Sequence, residues 1–160
     1  MSEAGPQHPP PSTPPAAVGD AIKRTDRYSR EDIEAFALAC RDRNPLHSSA
    51  AQAQPSRFGE VIASGQHTSS MLLGLATSHF ARPLDAPASE VLVLHVNFAF
   101  SGPVFANEDV HLTWQVIEIA RNAKLGGHVL LLNGGARTAR PKPALVARAS
   151  LLVKSALERP

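Results

Sequence analysis

The segment from Gly65 to Phe80 is the part of the sequence that most constrains the fold. It reads GQHTSSMLLGLATSHF, so apolar residues fall on several sides of a helix, and Ser, Gly and Ala are frequent. A helix of this composition is usually buried, with other elements packed closely around it. The rest of the chain must therefore provide the surface that encloses this helix.

An amphipathic helix is predicted upstream of this segment. Ser29 is a good N-cap, and Asp32 stands where a capping box requires an acidic side chain. Apolar residues then recur at helical spacing, at Ile33, Phe36, Ala37 and Cys40. Pro45 should end this helix, because the residue before a proline avoids the helical region.

Alternation at a period of two predicts that the remaining elements are strands. Residues 91–100 split into two alternating sets, and we expect one face of this strand to be buried and the other partly covered. Further strands are predicted at 18–27, at 110–117, from Val129 to Leu132 and at 144–153, with Gly126-Gly127 as a turn. One central helix and several long strands indicate an α+β layout in which the sheet wraps the helix.

The organisation of the chain predicts one domain preceded by a tail. Its 160 residues favour a single domain, and 43% hydrophobic residues are enough to build a core. Residues 1–17 hold six of the fourteen prolines and have little to bury. We therefore predict a disordered Pro-rich arm over 1–17 and one domain over 18–156.

Composition and charge disfavour several classes of partner and compartment. Charged residues make up 19% of the chain, the formal net charge is +2, and the basic residues are scattered, which disfavours nucleic acid. A small anionic substrate such as a nucleotide-bearing thioester is compatible with this charge. The single cysteine, Cys40, indicates no disulfide framework. Because we find no secretory signal and no apolar stretch that could cross a membrane, we expect a soluble cytoplasmic protein.

The sequence Asp42-Arg43-Asn44-Pro45-Leu46-His47 is the strongest candidate for chemistry. It places a carboxylate, an amide and an imidazole close together, and the turn fixed by Pro45 lets Asp42 and His47 converge. A carboxylate and an imidazole that share one water can act as a general acid–base pair, and histidine exchanges protons near neutrality. The alternative is that Asp42 and Asn44 are ordinary turn residues.

The predicted start of the buried helix, Ser64-Gly65-Gln66, is the second candidate. Backbone N–H groups there lack helical partners and carry the positive end of the helix dipole. Gly65 would let a substrate carbonyl approach without a Cβ in the way. Such donors could stabilise the oxyanion of an enolate-forming reaction. The alternative is that Gly65 only allows close packing.

Together these segments resemble the MaoC-like family of (R)-specific enoyl-CoA hydratases and 3-hydroxyacyl-thioester dehydratases. Residues 42–47 resemble the hydratase signature of Asp, any residue, Asn-Pro, any residue, His. Residues 57–65 resemble the approach to the family's central helix, and residues 96–105 resemble the strand and proline corner that follow it. The order and spacing match over about 28–155.

The resemblance implies a hotdog fold, with a long helix wrapped by an antiparallel sheet, and a homodimer, with a tetramer also open. It implies hydration of enoyl thioesters, or dehydration of (R)-3-hydroxyacyl thioesters, of coenzyme A or acyl carrier protein. Asp42 and His47 would activate the water, and the Gly65 N–H would stabilise the enolate oxygen. The supporting residues would be Asn44, Pro45 and Ser64. No metal and no cofactor other than the thioester substrate is implied.

Two alternatives within the same fold stay open. A hotdog thioesterase commonly carries its catalytic carboxylate on the central helix, and residues 66–80 contain no Asp or Glu. A non-catalytic subunit of a heteromeric dehydratase would have no need of both Asp42 and His47. Departures from the family pattern, which bear on the substrate, are Arg41, Ser64, Gln66, His67, Leu72 and Leu73.

The remaining basic residues and histidines receive weaker predictions. The candidate partners for a substrate phosphate, which the sequence does not rank, are Arg57, Arg82, Lys124 and Arg140. The histidines expected to be structural or solvated, because they lack metal-ligand spacing, are His67, His79, His95, His111 and His128.

Overall fold

A computed structural model describes residues 13–48, 56–81 and 89–154. Within these ranges the chain forms two α-helices, one short 3-10 helix and five strands. In chain order they are β1 (Ala21–Arg27), α1 (Arg30–Ala39), the 3-10 helix (Pro45–His47), α2 (Gly65–Ala81), β2 (Glu90–Phe100), β3 (Asp109–Asn122), β4 (Gly127–Arg137) and β5 (Leu145–Lys154). The predicted order of helices and strands is confirmed.

The five strands form one sheet in the order β1-β3-β4-β5-β2, and every neighbouring pair is antiparallel. The helix α2 packs on this sheet, with Leu72, Leu75 and Phe80 buried in the common core. The indole of Trp114 on β3 is fully buried and donates to the carbonyl of Leu72 at 2.7 Å. The predicted α+β layout, with one long helix against an antiparallel sheet, is confirmed.

The helix α1 begins at the predicted cap and ends in a left-handed turn. Ser29 and Asp32 form both bonds of the capping box, at 3.0 and 2.9 Å. At the other end Arg41 has φ 56°, and the N–H of Asp42 returns to the carbonyl of Ala37 at 2.8 Å. This is a Schellman motif, which ends the helix before Pro45 is reached.

The prediction that β2 has one buried face is wrong. Val91 from one alternating set packs against the core, but so do Val96 and Phe98 from the other set. The pairing of β2 with β5 shifts register between Val93 and His95, so the bulge exchanges the two faces along the strand. The large apolar side chains left exposed on β2 are Leu92, Val93, Leu94 and Phe100.

The predicted N-terminal arm falls mostly on residues 1–12, which lie outside the described residues. Just after them, Ala16 packs against the core. The N–H of Gly19 then donates to the carbonyl of Val116 at 2.8 Å. The chain is therefore attached to β3 before β1 begins.

Candidate active site

The turn between α1 and the 3-10 helix carries the predicted acid–base residues. The Oδ1 of Asp42 accepts the N–H of Asn44 at 2.9 Å, and the Oδ1 of Asn44 accepts the N–H of Leu46 at 3.2 Å. Pro45 occupies the first turn of the 3-10 helix, where its fixed φ is favourable. These local bonds set the direction in which the chain enters His47.

The imidazole of His47 is buried and has a defined proton position. Its Nδ1 lies 2.7 Å from the carbonyl oxygen of Ile62, and its Nε2 lies 3.4 Å from the Nδ2 of Asn44. Because a carbonyl oxygen can only accept, the neutral ring carries its proton on Nδ1. The Nε2 atom therefore presents a lone pair, as a general base requires.

The start of α2 supplies backbone donors. The Oγ of Ser64 accepts the N–H of His67 at 3.1 Å, which is an N-cap bond. The N–H groups of Gly65 and Gln66 lie in the first turn, so the helix offers them no acceptor. The ring of Phe100 lies against Gly65, where an added Cβ would be 2.8 Å from Phe100 Cε1. Close packing thus also requires a glycine at this position.

A cavity of about 570 Å³ lies between the turn and the start of α2. His47, Ser64 and Gly65 all line it, so the structure brings these three predicted residues together. Its remaining wall includes Arg57, Phe58, Phe100, Val104 and Leu145. The cavity combines an apolar wall with a few polar groups, as binding sites for small molecules commonly do.

Asp42 is placed differently from His47. It is half-buried, does not line the cavity, and has no hydrogen bond to His47. Asn44 and Pro45 are exposed and belong to the turn that supports His47. The structure thus leaves Asp42 beside the site, on the turn.

A neutral histidine fills the space between α1 and α2 next to the site. The ring of His67 stacks on Tyr28 and Phe36, with centroid distances of 4.4 and 4.5 Å. Burial lowers the pKa of His67, although the carboxylates of Asp32 and Asp26 act in the opposite direction. Burial also raises the pKa of Tyr28 to about 12. His67 is therefore an uncharged packing residue at neutral pH.

Two contributors to the site were missed by sequence analysis. The carbonyl of Ile62 sets the His47 proton, and a backbone atom leaves no signal in the sequence. Phe100 covers Gly65 from the end of β2. The signal for Phe100 was a large apolar residue directly before Ser101-Gly102-Pro103, at the end of a predicted strand.

The described residues contain neither a metal-binding cluster nor a membrane-spanning helix. No three His, Cys, Asp or Glu side chains in these ranges are grouped so that they could hold a metal ion. Neither α1 nor α2 is long and apolar enough to cross a bilayer. The cytoplasmic location stays a prediction.

Residues 9–129 match the family described as "MaoC like domain". This match covers more than half of the chain, so the protein belongs to the MaoC-like family, as the resemblance predicted. The mitochondrial 3-hydroxyacyl-[acyl-carrier-protein] dehydratase of Arabidopsis thaliana is 31% identical over 93 residues, covering 58% of this chain and 51% of that protein. The chain spans about half the length of this curated relative.

Solved structures show the same fold. The (R)-hydratase from A. caviae involved in PHA biosynthesis has a TM-score of 0.72 at 23% identity, over 86% of this chain and 96% of that chain. A chain of the ChsH1-ChsH2 complex from Mycobacterium tuberculosis has a TM-score of 0.72 at 16% identity, over 86% and 98% of the two chains. The predicted hotdog fold is confirmed.

Proposed function

We propose that the protein is a hydro-lyase that hydrates enoyl thioesters and dehydrates (R)-3-hydroxyacyl thioesters of coenzyme A or acyl carrier protein. The observation that carries this proposal is His47, whose Nε2 carries the lone pair of the neutral ring and which lines the same cavity as Gly65. A base next to backbone donors suits a reaction that moves a proton while charge develops on a thioester oxygen. Family membership supports the same reaction class.

In the hydration direction, His47 Nε2 takes one proton from water while the water oxygen bonds to C3 of the enoyl chain. The electrons of the C2–C3 double bond move towards the thioester, whose oxygen becomes an enolate. The Gly65 N–H donates to that oxygen and lowers the barrier by a few kcal/mol, roughly. The imidazolium returns the proton to C2, so one water supplies both added groups and no cofactor is consumed. Dehydration is the reverse.

Asp42 is the second member of the proposed pair. Its Oδ1 holds the Asn44 N–H, and its Oδ2 has no hydrogen bond among the described residues. We infer that this second oxygen accepts a hydrogen bond from the water that His47 activates. The first oxygen meanwhile keeps the turn in the shape that presents the imidazole.

A second candidate is a non-catalytic subunit of a heteromeric dehydratase. Asp42 lies off the cavity, and the similar structures include the ChsH1-ChsH2 complex and the HadBC (3R-hydroxyacyl-ACP dehydratase) complex. The thioesterase alternative has no comparable support, because α2 contains no Asp or Glu.

We propose that the chain forms a homodimer through β2. This strand is at the edge of the sheet, and Leu92, Leu94 and Phe100 are 50%, 47% and 57% exposed on it. Unpaired edge strands with apolar side chains are sites of association. Leu94→Lys should give a monomer in sedimentation velocity, whereas Thr25→Lys on β1 should leave the dimer unchanged. A dimer that survives Leu94→Lys would contradict this interface.

The activity test uses the purified chain with crotonyl-CoA, followed by loss of the enoyl absorbance. We expect hydration by the chain alone, and a large loss in Asp42→Asn with an unchanged melting temperature. Ser78→Ala, on the exposed side of α2, is the control. No hydration of crotonyl-CoA or of longer and branched enoyl thioesters would end the enzyme proposal. Activity that appears only with a second MaoC-like chain would favour the subunit candidate.

A further inference from the structure

Among the described residues that line the cavity, one is an Arg or Lys, and this is Arg57. Arg57 is exposed, and its guanidinium lies 4.7 Å from the centroid of the Phe58 ring. Stacking on an aromatic face restricts the guanidinium without using its N–H donors. No acidic side chain in the described part of the chain pairs with it. Arg57 therefore offers charged N–H donors in a restricted orientation, with no acidic partner among the residues that the structure describes.

The neighbouring Arg140 is similar in position but already neutralised. Its guanidinium lies 4.5 Å from the centroid of the Phe105 ring, and that ring packs edge-to-face with Phe58. The Nη1 of Arg140 donates to both carboxylate oxygens of Glu108, at 2.9 and 2.7 Å. Of these two arginines, Arg57 is the one without an acidic partner in the described part of the chain.

Lys124, another of the basic candidates, lies away from the cavity. Lys124 lies in the turn between β3 and β4, next to the end of β5 at which Val153 pairs with His128. The cavity lies at the opposite end of β5, where Leu145 pairs with Phe100. Arg82 lies outside the described residues. Among the candidates that the structure describes, it therefore favours Arg57 over Lys124 and Arg140.

We propose that Arg57 binds a phosphate of the phosphopantetheine arm that carries the acyl thioester. The inference rests on the proposed function, because it assumes that the thioester lies at Gly65. The arm between the thioester sulfur and its first phosphorus has about 13 bonds, slightly more than four extended residues, so it spans roughly 15 Å when extended and less when bent. Arg57 and Gly65 line the same cavity, so a phosphate at Arg57 and a thioester at Gly65 can belong to one molecule. Coenzyme A and the prosthetic group of acyl carrier protein share this arm.

The test compares crotonyl thioesters of coenzyme A, of phosphopantetheine and of pantetheine, the last of which has no phosphate. Arg57→Gln should raise KM for crotonyl-CoA about tenfold with little change in kcat, because a charge-assisted hydrogen bond is lost in the ground and transition states alike. For crotonyl-pantetheine, KM and kcat should not change. An Arg57 effect that extends to crotonyl-phosphopantetheine supports the phosphate of the arm. An effect confined to crotonyl-CoA would overturn that assignment in favour of the nucleotide phosphates.

The matched control is Lys23→Gln, which removes the same charge from the exposed β1 edge of the sheet. This variant should leave KM and kcat unchanged for all three thioesters. Added salt should raise the KM of the wild-type protein for crotonyl-CoA but not the KM of Arg57→Gln. Equal losses by Arg57→Gln on all three thioesters would overturn the inference, because Arg57 would then act through Phe58 on the shape of the cavity.

Failure of the proposed function gives a different result. If the wild-type protein hydrates none of the three thioesters, the hydratase proposal fails. The phosphate-binding role of Arg57 is then tested by calorimetric binding of free coenzyme A. Binding that is weakened about tenfold in Arg57→Gln and retained in Lys23→Gln would still support the phosphate site. Equal binding by all three proteins, or none by any, would overturn it.

Discussion

The two sides of the cavity are built in different ways. The His47 side is a short turn, held by hydrogen bonds among Asp42, Asn44 and backbone groups. The Gly65 side is the first turn of a helix whose later turns form the core, with Leu72 fully buried. A side chain on the turn can be substituted without moving the core. A substitution in α2 also changes the core, because the same helix forms part of it. We therefore expect activity and stability to separate on the His47 side and to change together on the Gly65 side.

The largest effect is expected from His47→Asn. The asparagine amide can still donate to the Ile62 carbonyl, but it cannot accept a proton from water. We expect kcat for enoyl hydration to fall by about 10³-fold, with the free energy of unfolding changed by less than about 1 kcal/mol. Steady-state kinetics and urea unfolding measure the two quantities. Retention of more than a tenth of the activity would remove His47 from the role of base.

Leu72→Ala tests the other side of the comparison. Leu72 is fully buried, and its truncation should lower the free energy of unfolding by about 3–5 kcal/mol. Activity should fall with the folded fraction, because the same helix carries Gly65. Leu38→Ala, at a side chain that is 80% exposed, should cost less than about 0.5 kcal/mol. Equal costs for both variants would show that α2 is not the centre of the core.

Gly65→Ala should affect both properties at once. The new Cβ would approach the Phe100 ring to 2.8 Å, so the ring or the helix start must shift. We expect a loss of about 1–3 kcal/mol in stability and at least about tenfold in kcat. The double variant Gly65→Ala/Phe100→Ala should recover part of the stability. If Phe100→Ala brings no recovery, the contact with Phe100 is not the cause of the loss.

The smallest effect is the pH dependence that His67 contributes. Because burial lowers the pKa of His67 below its ordinary value of 6.5, the folded protein binds this proton less readily than the unfolded chain. The contribution of neutral His67 to the free energy of unfolding is therefore fully present above pH 6.5, and it is lost as the pH falls through the lowered pKa. The slope is at most about 1.4 kcal/mol per pH unit. His67→Phe keeps an uncharged stacked ring, so its melting temperature should fall less between pH 7 and pH 5 than that of the wild type.

Local features of the fold could be predicted because their signals lie within a few residues. The capping box of Ser29 and Asp32, the buried helix from Gly65 and the succession of helices and strands along the chain all follow from caps and periodicity. The faces of β2 could not be predicted, because the bulge near Leu94 arises from pairing with β5. Since alternation has a period of two, one extra residue is enough to exchange the exposed and buried sets.

For the candidate site, the sequence by itself determined which residue types stand on the turn and at the helix start. Only the tertiary structure decided that the proton of His47 lies on Nδ1, that Asp42 stands off the cavity, and that Phe100 covers Gly65. The reason is that these features depend on contacts between distant segments, such as Ile62 with His47. A turn fixes its own backbone, but the direction and proton of an imidazole depend on the atoms that the rest of the fold brings to it.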